Sequence, residues 1–112
     1  MRMMNRIEFH NVLKSIMDDL GYKGTRVFYN PPSNISLSYP CIIYRRDSIE
    51  DRHADNNRYF NRTRYTIQVI DKNPDSEIPI KVLDLFPYSR FSSEYVIDNL
   101  YHFQLNVYNG GN

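Results

Sequence analysis

Tryptophan is absent from this 112-residue chain, cysteine occurs once and glycine four times. Each scarcity excludes something. A lone Cys41 cannot form an internal disulfide, and in the apolar run Tyr39-Pro40-Cys41-Ile42-Ile43-Tyr44 it reads as a small buried hydrophobe, compatible with a reducing compartment. Gly21, Gly24, Gly110 and Gly111 match no nucleotide fingerprint, so no phosphate-binding loop is expected. Apolar runs never reach the roughly 18 residues of an ordinary membrane-spanning helix. The segment after Met1-Arg2-Met3-Met4-Asn5-Arg6 carries Glu8, Lys14, Asp18 and Asp19 where a signal peptide would be apolar. A soluble chain that is not exported by that route is the expectation.

An excess of one charge is missing too. Fourteen basic against thirteen acidic residues leave a net charge of +1, without the global field of a dedicated nucleic-acid binder. The distribution says more. Six of the ten arginines, Arg45, Arg46, Arg52, Arg58, Arg62 and Arg64, lie close together and are interleaved with Asp47, Glu50, Asp51 and Asp55. Ten tyrosines and six phenylalanines exceed what a short chain needs to fill a core, and tyrosine suits positions packed at one end and wet at the other, such as interfaces.

The length fits one domain, residues 1–112, with no room for a second core. At this size folding buries about two-thirds of the chain's surface, so neither metal nor disulfide is needed for stability. Asn5 with Glu8 forms a capping-box signature, and Phe9, Leu13, Ile16, Met17 and Leu20 recur at helical spacing before Gly21, which predicts a helix over 6–20. Arg26 to Tyr29 reads as a short strand ended by Asn30-Pro31-Pro32-Ser33-Asn34.

Leu37 to Arg46 reads as a strand entered near Pro40. From Tyr59 to Asp71, Tyr65, Ile67 and Val69 alternate with Arg62, Arg64, Thr66 and Gln68, the period of a half-buried strand. The polar stretch Asp47 to Arg58, with a turn tip at Asn56-Asn57, makes these two strands a long hairpin whose end is expected to project beyond the core. Asn73-Pro74-Asp75-Ser76 is a turn and cap, and Ile78, Val82, Leu85 and Phe86 predict a second short helix ending at Pro87. Strands over Arg90 to Ile97 and Leu100 to Tyr108, hinged at Asp98-Asn99, complete the chain. Asn109-Gly110-Gly111-Asn112 is read as a flexible tail. The expected fold class is α+β: a mainly antiparallel sheet of four to five strands, two helices packed on it, and a projecting charged hairpin.

Candidates for chemistry are few. His10 falls on the polar face of the first helix, His53 in the charged hairpin and His102 on the solvent side of the last strand. All three read as surface residues, since no pair has the spacing of a metal site. Asp47, Glu50, Asp51 and Asp55 lack the alternate-residue pattern and glycine of a calcium loop, and ion pairing with the neighbouring arginines is the expected use. No active site, metal or cofactor is expected. The arginine cluster has three readings: an interface, where planar guanidinium groups pair with carboxylates and stack on tyrosine; a solvated surface; and a nucleic-acid contact with Tyr59 and Phe60 beside Arg62 and Arg64. The interspersed acids rank the interface first.

The segment from Arg64 to Pro79, RYTIQVIDKNPDSEIP, preceded by Tyr39-Pro40-Cys41-Ile42-Ile43-Tyr44 and followed by Tyr101-His102-Phe103-Gln104-Leu105-Asn106-Val107-Tyr108, resembles the tail-terminator or tail-completion proteins of long-tailed bacteriophages. The resemblance implies a virion component made in the host bacterial cytoplasm: a ring, typically of six copies, that caps the tail tube and docks the head. It brings no catalytic residues and no cofactor. Its implied partners are the chain itself, the tail-tube protein, a head-completion or neck protein, and DNA passing transiently and without sequence readout. Arg45, Arg46, Arg52, Arg58, Arg62, Arg64, Asp47, Glu50 and Asp51 would then line the channel or a subunit contact. Head-closure and connector proteins, or a small module for single-stranded nucleic acid, are the alternatives.

Overall fold

The computed structural model describes residues 4–54 and 57–110, and the side chains of all of these except 50–61 and 110. Its elements are α1 (Arg6–Asp19), β1 (Val27–Tyr29), β2 (Cys41–Ala54), β3 (Asn57–Asp71), α2 (Ile78–Leu85), β4 (Ser89–Ile97) and β5 (Leu100–Gly110). The strands form one sheet in the order β1-β2-β3-β5-β4. β1 runs parallel to β2, and every other neighbouring pair is antiparallel. This is the expected α+β architecture.

Local chemistry sets the ends of α1. The Asn5 side chain accepts from the Glu8 backbone N–H at 2.8 Å and the Glu8 carboxylate accepts from the Asn5 N–H at 3.0 Å, closing the capping box. At the other end Gly21 takes φ +89°, its N–H bonds Asp18 O, and the Tyr22 N–H bonds Met17 O, a glycine-terminated Schellman stop. α2 starts differently from expectation. The turn at 73–76 is present, with the Asn73 side chain accepting from the Asp75 N–H at 2.9 Å, but the cap position is Glu77 and its side chain makes no capping bond.

Both helices cover the same face of the sheet. Phe9, Leu13, Ile16 and Met17 of α1 and Ile78 and Val82 of α2 pack with Ile42 and Tyr44, with Tyr65, Ile67 and Val69, and with Phe103, Leu105 and Val107 in one core. The alternation expected in β3 is therefore the observed one. At the centre, the Phe9 ring stacks on Tyr65 at 4.2 Å between centroids and also meets Phe86 at 5.1 Å and Tyr44 at 5.6 Å. Two of the ten tyrosines, Tyr44 and Tyr65, thus belong to the core, where each keeps at most 2% exposure.

Several boundaries shift. β2 begins at Cys41, after Pro40, whose ring nitrogen cannot donate to a ladder, and it continues through the charged residues that read as a loop. Its pairing with β3 holds on both sides of a bulge between Arg46 and Ser48. β3 starts at Asn57; the expected tip at Asn56 and the projection of this arm lie outside the described residues. Asp98 and Asn99 take φ of 53° and 63°, the left-handed pair of a two-residue hairpin turn, joining β4 and β5 where the sequence placed the hinge.

The tail is corrected as well. Asn109 and Gly110 belong to β5, and Asn109 is fully buried because its amide is bonded to the start of the chain: Nδ2 donates to Met4 O at 2.8 Å and Oδ1 accepts from the Met4 N–H at 3.0 Å. Of the expected tail, residues 111–112 lie outside the described residues. No helix is long and apolar enough to cross a membrane among the described residues.

Candidate interaction surfaces

The sheet face opposite the helices carries a polar layer built from β2, β3 and β5. In the ladder Thr66 stands between Arg45 and Asn106, Gln68 between Ile43 and Gln104, and Arg64 between Ser48 and Tyr108. Asp47 joins this layer through the bulge. Being the extra residue on β2, it has no partner across the ladder, and its carboxylate turns to β3. Arg64 Nε donates to Asp47 Oδ1 at 2.6 Å, Thr66 Oγ1 donates to Oδ2, and Thr66 Oγ1 also lies 3.4 Å from Asn106 Oδ1. Gln68 Nε2 donates to the Tyr95 hydroxyl of β4, whose ring stacks on His102 at 4.9 Å. Side-chain bonds thus join β2 to β3 and β5 around Asp47, and β3 to the edge strand β4 at Gln68.

The structure divides the arginine cluster. Arg64 is bonded to Asp47, and the Arg62 guanidinium lies 4.2 Å over the Tyr108 ring. Arg45 is exposed on the same face, near enough for its charge to act on Asp47. Arg46 pairs with Tyr65, a residue of the helix-covered face, and is exposed there. The side chains of Glu50, Asp51, Arg52 and Arg58 lie outside the described residues. Asp47 pairs with an arginine as the sequence suggested, but with the one on β3, a choice fixed by the bulge.

Burial pushes the Asp47 carboxyl upward, yet hydrogen bonds from Thr66 and Arg64, with the charges of Arg64 and Arg45, outweigh it and hold the group below its ordinary value. A depressed folded-state pKa contributes stability above the unfolded value of about 3.9, and that contribution is lost as pH falls through the folded value. Asp47→Asn is therefore expected to lower the urea midpoint at neutral pH, and the gap to the parent protein should close as pH drops below about 4. A gap that stays constant across that range would remove the charge from the explanation.

The histidines are less exposed than expected. His10 Nδ1 lies 2.7 Å from the Tyr44 hydroxyl; burial, and then the charges of Arg6 and Lys14, lower its pKa. His102 is half-buried against Tyr95. The His53 side chain lies outside the described residues. Cys41 is fully buried, and burial pushes its thiol up to about 11 with Asp71 adding and Arg26 opposing, which leaves almost no thiolate at neutral pH. Among the described residues no group of three His, Cys, Asp or Glu side chains could hold a metal ion.

A second surface escaped the sequence reading. β4 is an edge of the sheet, and its register shift at Phe91/Ser93 brings Phe91 opposite Leu105 and Val96 opposite Tyr101, on the side where α2 packs. Leu85, Tyr88, Phe91 and Val96 keep between 46% and 54% of their surface exposed, although each would pass as core in a hydropathy pattern. Only the strand order reveals them, because among the described residues the edge strand next to an eight-residue helix has no second layer over its outer half. Comparison of the chain with protein-family models and with curated proteins finds no match to either.

Proposed function

We propose that the chain is a structural subunit of a phage virion that closes with copies of itself into a ring, terminating the tail tube at its junction with the head. The observation that carries this reading is the apolar edge formed by Leu85, Tyr88, Phe91 and Val96, with the outer ladder groups of β4 beside it. A soluble monomer gains nothing from such an edge, whereas a neighbouring copy would cover it. The opposite edge is unlike it: β1 is three residues long and flanked by cationic side chains. Unlike edges favour head-to-tail contacts, which give closed rings when the rotation closes.

Six copies is the expected number, with the tail-tube protein and a neck protein as further partners and DNA in transit through the channel. The cluster from Arg45 to Arg64, with Asp47, Glu50 and Asp51, is assigned to the channel or to a subunit contact. Arg64 held by Asp47 suits that role, since a paired guanidinium attracts phosphate less strongly than a free one. Catalysis and cofactors have no part in this reading.

The test is mass in solution by light scattering over a concentration series, with negative-stain imaging, for the protein alone and mixed with tail-tube protein. Closed rings are expected in at least one condition, and Phe91→Glu combined with Val96→Glu should abolish them. Burying one aromatic anchor in an interface is worth on the order of 2 kcal/mol, about thirtyfold in affinity. Both positions are exposed, so the double variant should melt close to the parent. A protein that stays monomeric with and without tube, or rings unchanged by the double substitution, would overturn the proposal.

A further inference from the structure

Between α1 and the turn leading into β1 lies a cleft of about 550 Å³, lined by His10, Lys14 and Asp18 from the helix and by Lys23, Thr25 and Arg26 from the turn. Its charge is one-sided: Lys14, Lys23 and Arg26 face a single carboxylate, Asp18. Among the described residues no carboxylate comes within ion-pair distance of those three cations. Lys14 and Asp18 are one helical turn apart, the spacing of an intrahelical pair, yet they do not close one.

Arg26 is the fixed member. Its Nε donates to Lys23 O at 3.0 Å, its Nη1 donates to Pro40 O at 3.2 Å, and its guanidinium lies 5.5 Å from the Tyr22 ring centroid. Two carbonyls hold the fork in place without neutralising it, and among the described residues nothing accepts from Nη2. Beside it His10, half-buried, has its pKa lowered first by burial and then by the charges of Arg6 and Lys14.

We infer that this cleft is a binding site for a phosphate group, with Arg26 as the preset donor and Lys14 and Lys23 closing on the oxyanion. The volume admits a phosphate carrying further atoms, so the group can belong to a small phosphate ester or to a nucleic-acid backbone. Both sources share the same recognition chemistry. The cleft lies beside β1, away from the apolar edge of β4, and its test reads phosphate binding rather than oligomeric state.

The experiment is a titration of the full chain with pyrophosphate and, separately, with a short DNA duplex, followed by amide chemical shifts at about 0.1 M salt, where screening acts over about 10 Å. Shifts centred on 23–26 are expected with at least one probe. Lys14→Glu and Lys23→Glu should each weaken binding by about tenfold or more, and Asp18→Asn should tighten it. All three positions are exposed, so the variants should fold as the parent does. Response to pyrophosphate assigns a small phosphate ester, and response to DNA alone assigns the backbone. No shift with either, or equal binding by Lys23→Glu, would overturn the site.

Discussion

Phe9→Ala is expected to lower the unfolding free energy by about 3–5 kcal/mol, which for a domain whose stability lies in the range of roughly 5–15 kcal/mol removes a large share of it. Phe9 is fully buried and is the side chain through which α1 meets three other segments: Tyr65 of β3 by stacking, Tyr44 of β2, and Phe86 just after α2. Deleting the ring leaves a cavity walled by three aromatic groups, which relax into it poorly because each is held elsewhere; Tyr44, for instance, is bonded to His10. Ile7, two residues earlier on the same helix and 56% exposed, supplies the contrast: Ile7→Ala should change stability by no more than about 0.5 kcal/mol. Urea unfolding of both variants checks the pair. A loss below about 1 kcal/mol for Phe9→Ala would mean that the aromatic cluster is not the centre of the packing.

What the sequence made legible was local. Asn5 and Glu8 announce the start of α1, Gly21 its end, and the strict alternation from Tyr65 to Val69 the buried face of β3, because each signal is written within a few residues of the structure it causes. The parallel pairing of β1 with β2 was not legible. It joins Val27 to Ile42 across an irregular connection, and no periodicity in either strand tells parallel from antiparallel. Asp47 shows the same limit at finer scale. Its partner is decided by a one-residue bulge, and a bulge changes which side chains share a face without leaving a compositional mark.

The two surfaces divide in the same way. The arginine cluster was conspicuous in the sequence, but the fold spreads it: Arg64 and Arg62 are engaged with Asp47 and Tyr108 on one face, and Arg46 stands on the other. The apolar edge of β4 and the cationic cleft beside β1 were invisible because they depend on strand order and on the packing of α1 beside the turn at 21–26. Hydropathy reports that Phe91 and Val96 are apolar; only topology reports that nothing among the described residues covers their outer half.

Asn109→Ala should cost about 2–4 kcal/mol, the loss of two hydrogen bonds to backbone groups that have few other partners. The sequence predicts the start of a flexible tail here, as chain ends commonly fray, but the Asn109 amide acts as a short mock strand for Met4, accepting from one backbone group and donating to the other across 105 residues of sequence. The clamp joins the start of the chain to the end of β5. A cycle with truncation separates its two halves. Removing residues 1–4 takes away the groups that Asn109 serves and leaves its amide without those two bonds. In the shortened chain Asn109→Leu should then be neutral or stabilising, although it is damaging in the full one. If the two changes added without coupling, the contact between Met4 and Asn109 would contribute nothing to stability, and the burial of Asn109 would need another cause.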